Sequence, residues 1–176
     1  MLTGDGNLII NNALPSTGFT WPGATLTEVQ SFAILKAALA AGVSVWNGAD
    51  FYGTPEKNSL HLMQRYFAAR PEDADKVVPT IKSGIRDMST LTMDTLPAFM
   101  RQQAATANRI LAGTKRVDLF GPGRIDEKTP VEETVKALAE MVAAGEIGGI
   151  QLSEVDADTI RRAAAGGEDR DGRDGS

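Results

Sequence analysis

A tyrosine and a lysine carry the clearest chemical signal in this sequence. Tyr52 stands in Val45-Trp46-Asn47-Gly48-Ala49-Asp50-Phe51-Tyr52-Gly53, where a short apolar run stops abruptly in a polar loop. Lys82 closes a second apolar run, Val77-Val78-Pro79-Thr80-Ile81. Read as strands, the two runs put both side chains at strand C-terminal ends, where parallel α/β folds bind their ligands. A nearby ammonium lowers a phenol pKa from ~10 toward working pH, which makes the tyrosine a usable proton donor to a developing alkoxide. A lysine that only flanks a strand and a tyrosine that only caps a loop fit the same spacing.

The other polar candidates read as structure. His61 lies between Leu60 and Leu62 in a helical stretch, as a surface or partly buried helical residue does. Gly121-Pro122-Gly123 reads as a strand-ending turn, because no lysine, serine or threonine follows it at phosphate-loop spacing. Asp50, Asp118 and Asp126 are too scattered to hold a metal, and a chain with no cysteine and one histidine has neither a thiolate zinc site nor a disulfide framework. Trp46 ends an apolar run and reads as core.

The elements that must position Tyr52 and Lys82 follow from periodicity and caps. Leu8-Ile9-Ile10 gives at most a weak first strand. Thr27-x-x-Gln30 resembles a capping box, and Val29, Phe32, Leu35 and Leu39 recur at helical spacing up to Gly42. A strand over Val43 to Trp46 follows, then a helix opened by Pro55 and stopped at Arg70-Pro71. The next units are a strand from Lys76 to Lys82 with a helix from Leu91 to Leu111, and a strand from Val117 to Phe120 with a helix started by Thr129-Pro130. Gly149 to Ser153 is the last strand and Asp156 to Ala165 the last helix. Residues 166–176 contain no apolar side chain, which predicts a disordered, charged, Gly-rich tail after a single domain over residues 1–165.

Strands that each follow a helix build a parallel sheet with right-handed crossovers. The fold class is therefore α/β, either a partial (β/α)8 barrel of about five βα units or an open doubly wound sheet, since a whole barrel takes ~250 residues and this chain has 176.

Composition narrows the function classes. The formal charge of −5 and the absence of a basic stripe argue against a nucleic-acid partner. No apolar run approaches the ~20 residues of a membrane span, and the first dozen residues lack the pattern of a signal peptide, so a cytoplasmic protein is expected.

The stretch from Val45 to Gly53 resembles the aldo-keto reductase signature, in which a strand ends in aspartate and Tyr-Gly follows a few residues later. It is most similar to the fungal pyridoxal reductase branch, whose loop reads much like Trp-Asn-x-x-Glu-Phe-Tyr-Gly. The likeness extends to Ile81-Lys82-Ser83-Gly84, to Asp118-Leu119-Phe120 with Arg124-Ile125-Asp126, to Pro130-Val131-Glu132-Glu133-Thr134 and to Leu152-Ser153-Glu154-Val155. It covers about residues 17 to 165.

The resemblance implies a (β/α)8 barrel that transfers hydride from NADPH to a small-molecule aldehyde or ketone. By the same resemblance Tyr52 matches the proton donor and Lys82 the lysine that lowers its pKa. Asn47 takes the aspartate position, where it can accept a hydrogen bond from Lys82 but adds no charge, and Gly123 takes the histidine position. Trp21 and Arg124 become candidates for the substrate mouth. The family's late cofactor loops have no counterpart here, so the cofactor-binding residues stay unassigned and the chain resembles a truncated product. Ala13-Leu14-Pro15-Ser16-Thr17 stands where the family has its first strand. Two further expectations follow: self-association, as a homodimer or larger, covers the exposed sheet edges, and a cofactor-free protein that binds a partner or moves protons is the rival to a reductase.

Overall fold

The structure, a computed structural model, describes residues 13–167. In chain order the elements are β1 (Ala13–Pro15), α1 (Thr17–Thr20), α2 (Glu28–Ala40), β2 (Val45–Ala49), the short strands β3 (Gly53–Thr54) and β4 (Lys57–Asn58), α3 (Ser59–Ala69) and a 3-10 helix over Pro71–Lys76. There follow β5 (Val78–Ser83), the short strands β6 (Ile85–Asp87) and β7 (Thr92–Met93), α4 (Pro97–Leu111), β8 (Leu119–Pro122), α5 (Val131–Ala143), β9 (Gly149–Ile150) and α6 (Ala157–Gly167).

Among the described residues the main sheet has five parallel strands in the order β1-β2-β5-β8-β9. Each helical crossover moves one strand further in the same direction, so chain order and sheet order agree. A doubly wound sheet reverses direction at a switch point, and this one does not, which removes the open doubly wound alternative. Right-handed crossovers that never reverse put every connecting helix on one face, as in a barrel wall.

That face holds the core. Trp46, Ile81 and Phe120 are fully buried against α3, α4 and α5, together with Tyr66, Phe67, Met100 and Leu138. The Trp46 ring stacks on Phe67 at 5.6 Å and meets Tyr66 edge-on at 5.0 Å. Such pairs add about 0.5–1.5 kcal/mol each beyond the area they bury.

Several boundaries differ from the sequence reading, each for a local reason. β2 runs three residues beyond Trp46, through Asn47 to Gly48 and Ala49, because the last two are small enough for a crowded wall: a Cβ on Gly48 would meet Ser59 and Met63. Lys82 is likewise inside β5, and Gly121 and Pro122 pair within β8 instead of forming a turn. Pro55 sits in the β3–β4 hairpin. Asn58 opens α3, its Oδ1 accepting from the N–H groups of Leu60 at 3.0 Å and His61 at 3.4 Å. Gly53, at φ 128°, makes that hairpin possible, since a side chain there would collide with the Lys57 carbonyl. Helix α4 starts at Pro97, after Thr92–Met93 have paired with β6.

In α2 the capping box forms as read, but Val29 is 80% exposed and Leu35 with Ser31 carries the buried face. The first strand described is Ala13–Pro15, parallel to Val45–Asn47, with its proline on the sheet edge. The expected Leu8-Ile9-Ile10 strand lies outside the described residues. Helix α6 extends to Gly167. The rest of the expected tail, 168–176, also lies outside them. Among the described residues no helix is long and apolar enough to cross a membrane.

Candidate active site

Alternation along the strands sorts side chains by face, and register carries that sorting across the sheet. Trp46 and Ile81 face the helices. Asn47, Thr80, Lys82 and Gly121 therefore face the opposite, inner side, with Ala49 paired to Lys82 and Lys82 to Gly121. Gln151 continues this row beyond β9, its N–H donating to the Phe120 carbonyl at 3.0 Å.

Tyr52 stands three residues past the end of β2, and its hydroxyl accepts a hydrogen bond from the Lys82 ammonium at 2.5 Å. The ammonium also lies 4.8 Å from the centre of the tyrosine ring. Backbone contacts on both sides help to hold the loop in place. Thr20 Oγ1 donates to the Tyr52 carbonyl at 2.5 Å, and the Asp50 N–H donates to the Lys82 carbonyl at 3.2 Å. Trp21, 42% exposed, meets the Tyr52 ring edge-on at 6.0 Å. Trp21, Tyr52 and Lys82 border a cavity of about 180 Å³ whose walls also include Phe51, Met88 and Arg124.

The structure thus brings Tyr52, Lys82, Trp21 and Arg124 around one space. Arg124 is not free there, since its Nε donates to Glu154 at 2.8 Å. Asn47 departs from expectation: Lys82 donates to Tyr52 instead, and Asn47 Oδ1 is buried without a hydrogen-bond partner. The Gln151 amide nitrogen is buried and unpartnered as well. Gly123 has a physical reason to lack a side chain, because the Phe51 ring comes within 3.0 Å of where its Cβ would be. His61 is half-buried on α3 with Nδ1 3.0 Å from Asn58 Oδ1, and desolvation holds its pKa below the ordinary value.

Asp50 was missed as anything but a poor metal ligand. It points to the helix side, where Oδ2 accepts from Ser83 Oγ and from Gln103 Nε2 at 3.1 Å, and burial pushes its carboxyl up to about 6. The signal available in the sequence was its place between a buried strand and Tyr52. Its partner Gln103, 53 residues away on α4, had none.

Chemically, an ammonium on a phenol oxygen stabilises the negative charge that grows as the phenol gives up its proton. The half-open cavity admits a small polar group beside that oxygen.

The family model for the aldo/keto reductase family matches residues 16–172. A probable pyridoxal reductase of Schizosaccharomyces pombe is 38% identical over 149 residues, which are 84% of this chain and 44% of that protein. An aldo-keto reductase of Strobilurus tenacellus is 35% identical over 143 residues, 81% of this chain and 40% of its own length. This chain thus spans less than half the length of these curated relatives. Among solved structures, a glycerol dehydrogenase from Gluconobacter oxydans superposes with a TM-score of 0.70 at 23% identity, covering 87% of this chain and 47% of that one, a likeness of fold.

Proposed function

Because the chain belongs to the aldo/keto reductase family, we propose that it reduces an aldehyde or ketone with NADPH, Tyr52 giving the proton and Lys82 supporting it. The observation that carries this reading is the 2.5 Å contact from Lys82 to the Tyr52 hydroxyl at the wall of the cavity. A carbonyl oxygen beside Tyr52 would take the phenol proton as its own negative charge develops, while the ammonium steadies the phenolate left behind. Trp21 offers an apolar wall for the substrate body.

A bound nicotinamide would supply the hydride. Gln151, an unpaired amide donor on the same face as Lys82, is the residue here that fits a carboxamide oxygen on such a ring. Pyridoxal is the first substrate to test, given the relative's name.

The experiment is an NADPH titration by fluorescence together with turnover of pyridoxal and 4-nitrobenzaldehyde. Saturable NADPH binding with consumption of either carbonyl supports the reductase. The rival is a cofactor-free protein using the same pair for proton transfer, or for none. The Lys82–Tyr52 contact serves that reading too, since such a pair can move a proton without a hydride. Absence of NADPH binding by the folded chain selects it.

Self-association belongs to the same proposal. Among the described residues β1 and β9 each have one neighbour in the sheet, and the end helices expose Val29, Ile34 and Ile160. Open parallel edges and exposed apolar groups favour pairing with a second copy. Light scattering at several concentrations checks it, and a cooperative, soluble monomer of 18.7 kDa overturns it.

A further inference from the structure

We propose that the groove on the far side of Phe51 from Tyr52 is a second binding site, one that takes a small organic monocation such as a primary amine with an apolar body. Its volume is about 540 Å³, against about 180 Å³ at Tyr52. Phe51, Ile85 and Met88 line both spaces and form the partition between them. All of its lining residues lie between Asp50 and Ile110, so the groove is built entirely by one part of this chain. The proposal does not rest on the reductase reading.

The chemistry of the walls selects the ligand. Phe51, Met88 and Ile110 give an apolar lining, and Asp50 and Gln103 set a polar point into it. Both side-chain donors to the Asp50 carboxylate are neutral, Ser83 and Gln103, and both use Oδ2. A carboxylate that has lost water without gaining a counter-charge holds its proton more tightly, and burial does push Asp50 up to about 6.

The neighbouring charges do not supply the missing cation. Arg86, on the rim, is bound to Asp94 through Nε at 2.8 Å and lies over the Phe99 ring at 4.7 Å. Asp87, also on the rim, accepts from the Ser89 N–H at 2.8 Å and adds negative charge. From α3, His61 is turned to Asn58, and Glu56 in the β3–β4 hairpin is exposed. Lys82 sends its ammonium to Tyr52 on the other face. An amine laid in the groove would set its ammonium on Asp50 and its carbon body on Phe51 and Ile110, joining charge neutralisation to apolar burial.

Because the cation needs the ionised carboxylate, it competes with the proton. With a carboxyl pKa of about 6, affinity should be about tenfold weaker at pH 5 than at pH 7.5. The test is calorimetric titration of the whole chain with benzylammonium chloride at both pH values, with benzyl alcohol as the neutral probe.

Expected are saturable binding at pH 7.5, about tenfold loss at pH 5, and weaker binding of the alcohol. Binding should vanish in Asp50→Asn and in Thr106→Phe, which fills the groove from α4, and persist in Tyr52→Phe. Circular dichroism establishes that each variant folds. If Asp50→Asn does not fold, Thr106→Phe and the pH dependence decide. The proposal falls if benzylammonium does not saturate at pH 7.5, if its affinity ignores pH, or if folded Thr106→Phe binds it as the parent does. Loss in Tyr52→Phe with retention in Thr106→Phe would move the amine into the smaller cavity and equally refute it.

Discussion

The two faces of the sheet are built from adjacent residues and obey opposite rules. Trp46 is fully buried among aromatic rings on the helix side, while Asn47, the next residue along the same strand, faces inward with its side-chain Oδ1 unpaired. The same holds one strand over, where Ile81 is fully buried and Lys82 reaches for Tyr52. Period-two alternation lets one strand pack a core and present chemistry without either constraining the other. Outer residues are fixed by volume, inner ones by charge and hydrogen bonding.

If that division is real, substitutions on the two faces should damage different properties. The largest effect expected is on the outer face. Trp46→Ala deletes the ring that stacks on Phe67 and touches Tyr66, and should lower unfolding free energy by about 3–5 kcal/mol in a denaturant titration. Retention of parental stability would mean that the aromatic cluster is not what holds the helices to the sheet. Beyond the end of β2, Tyr52→Phe should do the reverse, lowering any turnover by roughly 10²–10⁴-fold with the circular dichroism spectrum unchanged. Equal rates in mutant and parent would remove Tyr52 from the mechanism.

Asp50 sharpens the comparison, because it puts a carboxylate on the packing side. Its folded pKa of about 6 lies above the ordinary 3.8, so the stability it confers is complete below pH 3.8 and is lost as pH rises through 6. Asp50→Asn lacks that slope. The stability of the variant relative to the parent should climb between pH 4 and 7 by at most about 3 kcal/mol and then level off. Thermal melts of both proteins across that range check it, and parallel curves would show that Asp50 is better solvated than its position suggests.

How much of this was legible in the sequence also divides along the faces. The helix side was readable because volume and periodicity leave marks: Trp46 as core, the Thr27–Gln30 capping box and the βα rhythm were visible in the residues alone. Strand ends were displaced where small residues carried the ladder, as at Gly48-Ala49 and Gly121-Pro122, since apolar runs do not register glycine. Thr129 misled as a helix cap. Its hydroxyl donates to Asp126 at 3.2 Å, and Pro130 holds the cap position. At the site, Tyr52 and Lys82 could be singled out by type and placement. Asp50 with Gln103 could not, because that contact exists only after α4 docks.

The smallest expected effect tests whether polar groups on the two faces differ as their partners do. On the helix side, the buried Tyr66 hydroxyl donates to Asp73 at 3.0 Å, and its pKa is pushed up to about 12 by burial and by that carboxylate. Tyr66→Phe removes the donor and leaves Asp73 with Lys76 alone, at 2.9 Å, which should cost about 1–2 kcal/mol. On the inner face, Asn47 Oδ1 has no partner to lose. Replacing it by valine, which suits a strand and removes an unpaired acceptor, should leave stability within about 0.5 kcal/mol of the parent or raise it, because an unmade hydrogen bond contributes nothing when deleted. A loss of 1 kcal/mol or more in Asn47→Val, measured beside Tyr66→Phe in the same denaturant series, would show that Asn47 is held by a bond the structure does not display. Asn47 would then belong to the hydrogen-bonded inner row with Lys82 instead of standing idle in it.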